Sequence, residues 1–527
     1  MSENSSPAAE RRGLILNTLM VAGAFGLAAG MGLLRNIIIA RHFGIGAELD
    51  AFYAAFKLPD LLFTIVAGGA LATAFIPVLA EFVAQDDRAG VWRLASAITN
   101  LVVMTVSALA ILVALAAPWL VRTLIAPGFD AAQQAETAML MRIVLLSTIF
   151  FGISAVQSSV LHGFKHFLLP ALAPVLYPLG MIGGALWLVP TWGTAGLAWG
   201  AVLGALLHLL VKIPMLLRYG LRWQPLLDLN RSTVRRVLWL MGPRVLDLGV
   251  FHLTLLASAN LASRLGPGSV SALEWGWEFM QLPETIIGTA FGLVVFPTLA
   301  AQAARRDVNQ LRRTLSESLS GLLFLSVPAA CGLILLGRPL LQLVYQRGAF
   351  DAAATAAVYA ALTFYALGLV GHICLEVAAR VFFAQQDTIT PLIVAASIGL
   401  LNVLLGIALM GPLGHGGLAL DNSLAVSVEV LVLLSILRRR WGDIGARMMV
   451  KALARVIAAS LIMCLAVAPI VAWSSAAQLH PLRVLSLGGG VGLAVYAAAT
   501  LLILRRTPVQ LARELVQGLG SAGGAGE

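Results

Sequence analysis

Apolar runs of about 20 residues recur from one end of this chain to the other, and that recurrence leaves few folds open. Each run is long enough to cross a hydrocarbon core about 30 Å thick as a helix. Backbone N–H and C=O groups in lipid have no water to bond. A spanning segment must therefore satisfy them internally, as a helix or within a closed barrel. A barrel would show short segments of alternating polarity, and these are absent. Charged residues are 11% of the 527 and hydrophobic residues 59%, against roughly 25% charge in a soluble domain. The sequence predicts an all-α polytopic membrane protein.

Fourteen spans are expected, at about 14–40, 51–80, 92–116, 134–160, 168–189, 196–217, 237–262, 270–301, 314–336, 353–380, 390–410, 416–436, 448–473 and 483–504. One set of alternate loops is basic: Arg11 and Arg12, Arg88 and Arg93, Lys165, five arginines over 218–236, four over 305–313 and four over 438–447. The other set holds Arg41, Arg122, Arg264, Arg338, Arg347 and Arg483. The positive-inside rule then places both termini in the cytoplasm of an inner-membrane protein, and an even number of spans requires the same. The formal net charge of +10 is explained by topology and anionic headgroups, so no nucleic-acid partner is expected. No small-residue cleavage site follows the first apolar run, which reads as a retained helix. Cys331, Cys374 and Cys464 sit in apolar stretches without ligand-like spacing and read as packing residues, so no metal site is expected.

The two halves resemble each other. Phe75-Ile76-Pro77-Val78-Leu79-Ala80 matches Val295-Phe296-Pro297-Thr298-Leu299-Ala300. Gly128-Phe129-Asp130 matches Ala349-Phe350-Asp351, and Pro170 matches Pro391, both about 221 residues later. A repeat of six spans gives both copies the same orientation. It predicts two pseudo-symmetric six-helix bundles with a substrate site between them. The expected division is a first bundle at 1–217, a basic linker at 218–236, a second bundle at 237–436, and an extra pair of spans with a cytoplasmic tail at 437–527.

Within the second span, Asp50-Ala51-Phe52-Tyr53-Ala54-Ala55-Phe56-Lys57-Leu58-Pro59-Asp60 is followed by Gly69-Ala70-Leu71-Ala72-Thr73-Ala74-Phe75-Ile76-Pro77-Val78-Leu79-Ala80-Glu81. This closely resembles the signature of the MurJ/MviN family of lipid II flippases, in the MOP exporter superfamily. Arg35, Ala40-Arg41-His42-Phe43-Gly44, Ala126-Pro127-Gly128-Phe129, Met241-Gly242-Pro243 and Asp387-Thr388-Ile389-Thr390-Pro391 add to the match. The resemblance implies a central cavity lined by spans 1, 2, 7 and 8 that opens alternately to each side. It would take the diphosphate-sugar headgroup of an undecaprenyl-linked precursor, while the lipid tail stays in the bilayer through a lateral gate. The implied partners are a polyprenyl-linked glycan lipid, the membrane and the cell-wall synthesis machinery. Neither a cofactor nor covalent chemistry is implied, and no nucleophile–base constellation is visible, so the chain does not read as an enzyme. Energy would come from Na⁺, H⁺ or the membrane potential.

An ionisable group at membrane depth costs on the order of 3 kcal/mol or more, which makes each one a candidate site residue. Arg35 and Lys57 supply cationic attraction for a diphosphate, or Arg35 pairs with Asp50 to fix the corner of spans 1 and 2. In span 7, Arg244 and Asp247 share a face at i, i+3. They are either a self-neutralising pair or a cavity site where Asp247 takes a proton or Na⁺. In span 8, Glu274 and Glu278 share a face at i, i+4 and either bridge to the cavity cations or bind a proton or cationic substrate. Glu376 and Arg380, with His372 one turn earlier, read as a structural pair. Lys212 and Glu429 read as packing or end-anchoring charges, and His208 and His252 as helix-packing histidines. Better-known family members carry cavity arginines at the positions of Ala29, Phe63 and Glu278. The departure here leaves three cargo readings open: lipid II, another polyprenyl-linked glycan, or an organic cation exported as in the multidrug branch. A membrane scaffold is the non-transport reading.

Overall fold

The computed structural model describes residues 7–67, 69–229 and 231–504, with side chains described throughout except at 7–19, 21–22, 66–70, 72–73, 242–248, 475 and 504. Every regular element among the described residues is a helix. Twelve of these helices are long and apolar enough to cross a membrane. The two other expected spans are the charge-bearing stretches: the Ala47–Ala84 region, with Glu48, Asp50, Lys57 and Asp60, and Ser232–Ala262, with Arg244 and Asp247.

The chain forms two compact units, Met1–Pro267 and Gly268–Glu527. In the first lie α1 (Pro7–Phe43), α2 (Ala47–Ala67), α3 (Gly69–Ala84), α4 (Arg88–Leu120), α5 (Ala131–Gly163) and α6 (Leu168–Gly183). They are followed by the single turn α7 (Val189–Trp192), then α8 (Thr194–Leu210), α9 (Ile213–Arg218) and α10 (Ser232–Ala262). The second holds α11 (Ser269–Pro283), α12 (Ala290–Ala304), α13 (Val308–Tyr345), α14 (Ala352–Ala384), α15 (Ile389–Leu413) and α16 (His415–Trp441), then α17 (Ala446–Ala476) and α18 (Pro481–Leu504). Helix α10 packs on α2 and α3 and so belongs to the first unit. Three π-helical turns, Val121–Ile125, Gly184–Leu188 and Glu284–Thr289, interrupt long helices.

The repeat is visible in how the helices begin. Asp130 caps α5 by accepting from Gln133 N, and Asp351 caps α14 by accepting from Ala354 N, both at 2.8 Å. Such a cap satisfies one of the amides that a helix start leaves without a partner. Asp87 and Asp307 do the same for α4 and α13. The corners repeat as well: Lys165 and Gln386 have φ of 58° and 61°, and Gly193 and Gly414 have 54° and 58°. The last two turn the chain into α8 and α16, in a left-handed conformation that glycine adopts without Cβ strain.

The second-span motif fills the core of the first unit. Phe75, Val78 and Leu79 are buried with Trp92, Leu94 and Ile98 of α4 and Val156 and Val160 of α5. A β-carbon on Gly128 would lie under 3.0 Å from the Ser263 carbonyl, and Gly128 N donates to Ser263 Oγ at 3.2 Å. That backbone contact ties the loop after α4 to the end of α10. Helices α6 and α8 touch backbone to backbone: a Cβ on Gly180, Gly184, Gly200 or Gly204 would come under 3.0 Å from the opposing main chain. In the second unit α17 and α18 pack on α13, where Tyr496 Oη donates to the Phe324 carbonyl at 2.7 Å.

Candidate functional site

In the first unit the charged candidates share neighbouring helices. Arg35, half-buried on α1, donates from Nε to Asn36 Oδ1 at 2.8 Å, and its Nη1 lies 3.9 Å from Met181 Sδ on α6. Asp50, in the first turn of α2, is completely buried. Lys57 lies seven residues on, which is the same helix face, and is half-buried. Arg35, Asp50 and Lys57 each have a polar or electrostatic partner.

Asp60 follows Lys57 at i+3, and the two charges interact. Tyr177 of α6 lies in the field of both Asp60 and Arg35, and His252 of α10 in that of Lys57. One polar patch thus draws on α1, α2, α6 and α10. The sequence reading passed over Asp60, although the Lys57–Asp60 spacing was the available signal. Arg244 and Asp247 are on α10, and their side chains lie outside the described residues.

In the second unit Glu274 and Glu278 are half-buried on α11, and both have partners. A further acid that the sequence reading missed, Glu284, opens a π-helical turn. Its carboxylate accepts from Thr289 Oγ1 at 3.3 Å and from Thr285 Oγ1 at 3.4 Å. Glu284 also lies in the field of Glu376 and Arg380 on α14. Arg380 donates to the Glu376 carboxylate, and to the Glu376 carbonyl at 2.6 Å. Its guanidinium occupies the space that a β-carbon on Gly292 would take. His372 Nε2 meets Asn422 Oδ1 at 3.0 Å and its ring lies edge-on to Trp277. Next to Asn422, the buried Asp421 accepts from Asn402 Nδ2 at 3.0 Å, which joins α16 to α15. Neither Asp421 nor Asn402 was singled out in the sequence. Among the described residues no cluster of three or more metal-ligating side chains occurs.

The loops are held by ion pairs outside the spans. Arg93 donates from Nε to Asp228 Oδ2 at 2.6 Å, and this hydrogen bond holds the Asp228 carboxyl below its ordinary range. Arg440 Nη1 donates to Asp387 Oδ2 at 2.7 Å, and Asp387 also accepts from Thr390 N and Thr390 Oγ1. Partial burial pushes the Asp387 carboxyl up, but these Thr390 and Arg440 contacts outweigh it and leave the net shift downward. The Asp387-Thr388-Ile389-Thr390-Pro391 motif is thus the start of α15 fastened to the end of α16.

Apolar helices with charges among them are the fold this chain shares with solved transporters of the MOP superfamily. A solved multidrug resistance MATE transporter of that superfamily, in an inward-facing conformation, superposes at a TM-score of 0.67 and 16% identity over 79% of this chain and 95% of its own. A solved lipid II flippase MurJ in an inward closed conformation superposes at 0.78 and 24% identity, over 92% and 99%. The family model for lipid II flippase MurJ matches residues 39–487. The lipid II flippase MurJ of Burkholderia cenocepacia is 32% identical over 430 residues, covering 80% of this chain and 83% of its own. A probable lipid II flippase MurJ of Rhizobium meliloti is 29% identical over 506 residues, covering 90% and 92%. The chain belongs to the MurJ family.

Proposed function

We propose that this chain is a flippase that carries lipid II, an undecaprenyl-diphosphate-linked peptidoglycan precursor, from the cytoplasmic to the outer leaflet by alternating access. The observation that carries the reading is the family match over residues 39–487, which takes in nearly every span. The charges of the first unit support it. A diphosphate in a low-dielectric site needs a cation, and arginine offers it a fork of donors while lysine offers a point charge. Arg35 and Lys57 fill those roles, joined by Arg244 of α10. Together they stand in for the arginines that Ala29, Phe63 and Glu278 replace.

Asp50 sets the Arg35 corner, and Asp60 keeps the Lys57 charge balanced until cargo arrives. Glu274 and Glu278 are the candidate acids of the second unit, on α11. The headgroup is bound and released without a bond being made or broken, so the protein acts as a carrier and not as an enzyme. Asp247 is the candidate Na⁺ or H⁺ site on α10, with the membrane potential as the other energy source. The basic alternate loops favour an inner-membrane protein with both termini in the cytoplasm.

Two measurements test this. Depleting the protein in cells should raise lipid-linked peptidoglycan precursor in the inner leaflet. In proteoliposomes carrying a fluorescent lipid II analogue, Arg35→Ala should slow translocation at least about tenfold, the loss expected for a charge-assisted contact. Glu278→Gln should leave it intact. The reverse pattern, with Glu278→Gln disabling and Arg35→Ala silent, would identify a cationic cargo and overturn the reading.

A further inference from the structure

Lys212 sits at the break between α8 and α9 and is completely buried. Its Nζ donates to the Ser154 carbonyl at 2.8 Å, to Ser154 Oγ at 2.5 Å and to Ser158 Oγ at 2.8 Å, all on α5. Among the described residues no carboxylate lies within ion-pair distance of it. A buried ammonium with three neutral acceptors has its hydrogen bonds satisfied and its charge uncompensated, which is the costly half of burying an ion. The same Ser154 hydroxyl lies 2.7 Å from His208 Nδ1 and, at the longer distance of 3.2 Å, can instead donate to the His208 carbonyl. Ser154 Oγ therefore joins two titratable nitrogens, one completely buried and one, His208, half-buried.

His162 of α5 lies in the field of Lys212. The His208 ring stands edge-on to Phe151, at 5.2 Å between centroids, and Phe151 is edge-on to Tyr177 of α6. Of the α2 charges Glu48, Asp50, Lys57 and Asp60, the Asp60 field reaches Tyr177. The second unit packs the corresponding helices, α14 and α16, against each other. Positions 154, 208 and 212, moved on by the repeat, fall on Leu375, Glu429 and Leu433. Helix packing alone does not call for the three polar groups.

We propose that Lys212, Ser154 and His208 form a proton-binding site of the first unit, separate from the charges assigned to the cargo, through which the transport cycle takes up and releases H⁺. In the loaded state Lys212 Nζ donates to Ser154 Oγ, and Ser154 donates to His208 Nδ1. Release breaks one Nζ–H bond and forms a new Oγ–H bond. The original Ser154 proton passes to His208 Nδ1, and the His208 Nε2 proton departs from the half-buried end. Lys212 is left as an amine accepting from Ser154, with His208 as the other neutral tautomer. The Lys212 proton is exchanged with His208 only as the hydroxyl reorients, so the two titrate as one coupled unit. The link to transport rests on the flippase reading, whereas the proton site itself does not.

The cargo-free test is ¹⁵N NMR of the full-length protein in nanodiscs, with lysine ζ and histidine ring nitrogens labelled. The expected result is that Lys212 and His208 change in a single pH step, and that Ser154→Ala splits it into two. Separate steps in the wild type, or a Ser154→Ala spectrum like the wild type, would overturn the proposal. The transport test uses the fluorescent lipid II analogue in proteoliposomes with an imposed pH gradient at zero membrane potential. The wild-type rate should respond about fivefold, a typical coupling, and Ser154→Ala and Lys212→Met should each lose the response. A wild-type response retained in both variants also overturns the proposal. If the wild type moves no analogue under any gradient, the cargo assignment fails while the NMR result still decides the proton site. If Lys212→Met does not fold, the Ser154→Ala arm carries both tests.

Discussion

The two units share a scaffold and differ in what they seal inside it. Gly196 lies against the Leu188 backbone in the first, and Gly417 against the Leu409 backbone in the second, at equivalent places in the repeat. One turn further the units diverge. The first continues with Gly200 against Gly184 and Met181, and Gly204 against Gly180 and Tyr177. In the second, the positions equivalent to Gly200 and Met181 are Asp421 and Asn402, joined by a 3.0 Å hydrogen bond. The same helix crossing is closed by bare backbone in one unit and by a polar pair in the other. The repeat therefore preserves corners, caps and helix order, while the chemistry of each interface is free to specialise.

The first unit is most sensitive at its glycine contact. Gly180→Val puts side-chain carbon where the α8 backbone lies, with no flexible side chain to give way. It should cost about 3 kcal/mol or more, read as a lowered unfolding midpoint or lost folded yield in detergent. Asn402→Leu in the second unit removes the side-chain donor to the buried Asp421 and should cost about 2 kcal/mol. The double variant Asn402→Leu with Asp421→Leu should recover most of that loss, because an apolar pair leaves nothing unsatisfied. A double variant as unstable as the single one would show that Asp421 does more than bond Asn402. Tyr496→Phe tests the helix pair found in the second unit alone. Removing its bond to the Phe324 carbonyl should cost about 1 kcal/mol, seen as earlier hydrogen exchange in α18.

The smallest effect expected is on the loop latches, one in each unit. Asp228 and Asp387 are held below the ordinary carboxylate range. Their contribution is fully present at neutral pH and is lost only as pH falls through their folded-state values, below the usual aspartate value of about 3.9. Spin labels in the 219–231 loop should report the same mobility at pH 7 and pH 5, and a rise only on stronger acidification. Arg93→Ala should produce that rise at neutral pH.

The membrane helices were legible in the sequence because length and polarity alone decide them. The apolar runs appear as helices where that pattern implies, whereas the capping role of Asp130 and Asp351 and the matching corners emerge only in the fold. The charge-bearing stretches were harder, since Lys57 and Asp60 lower the apolar signal of the second span while marking its role. Asp421 escaped notice because its partner, Asn402, is on another helix, and pairing across helices leaves no local spacing to read. Lys212 looked like an anchoring charge for the same reason: Ser154 lies 58 residues earlier, and only the folded bundle brings it and His208 to one hydroxyl. Glu284 was hidden by its π-helical turn, which shifts the register that an i, i+4 reading assumes.

Where α6 and α8 cross at Gly180, Gly200 and Gly204, backbone meets backbone, and that crossing has no rotamers to rearrange. The two helices must travel as one rigid strut. Whatever motion the first unit undergoes is left to places where the main chain already departs from regular winding, such as the π-helical turn at Val121–Ile125, so a substitution that loosened the strut would squander motion that a stiff lever delivers elsewhere.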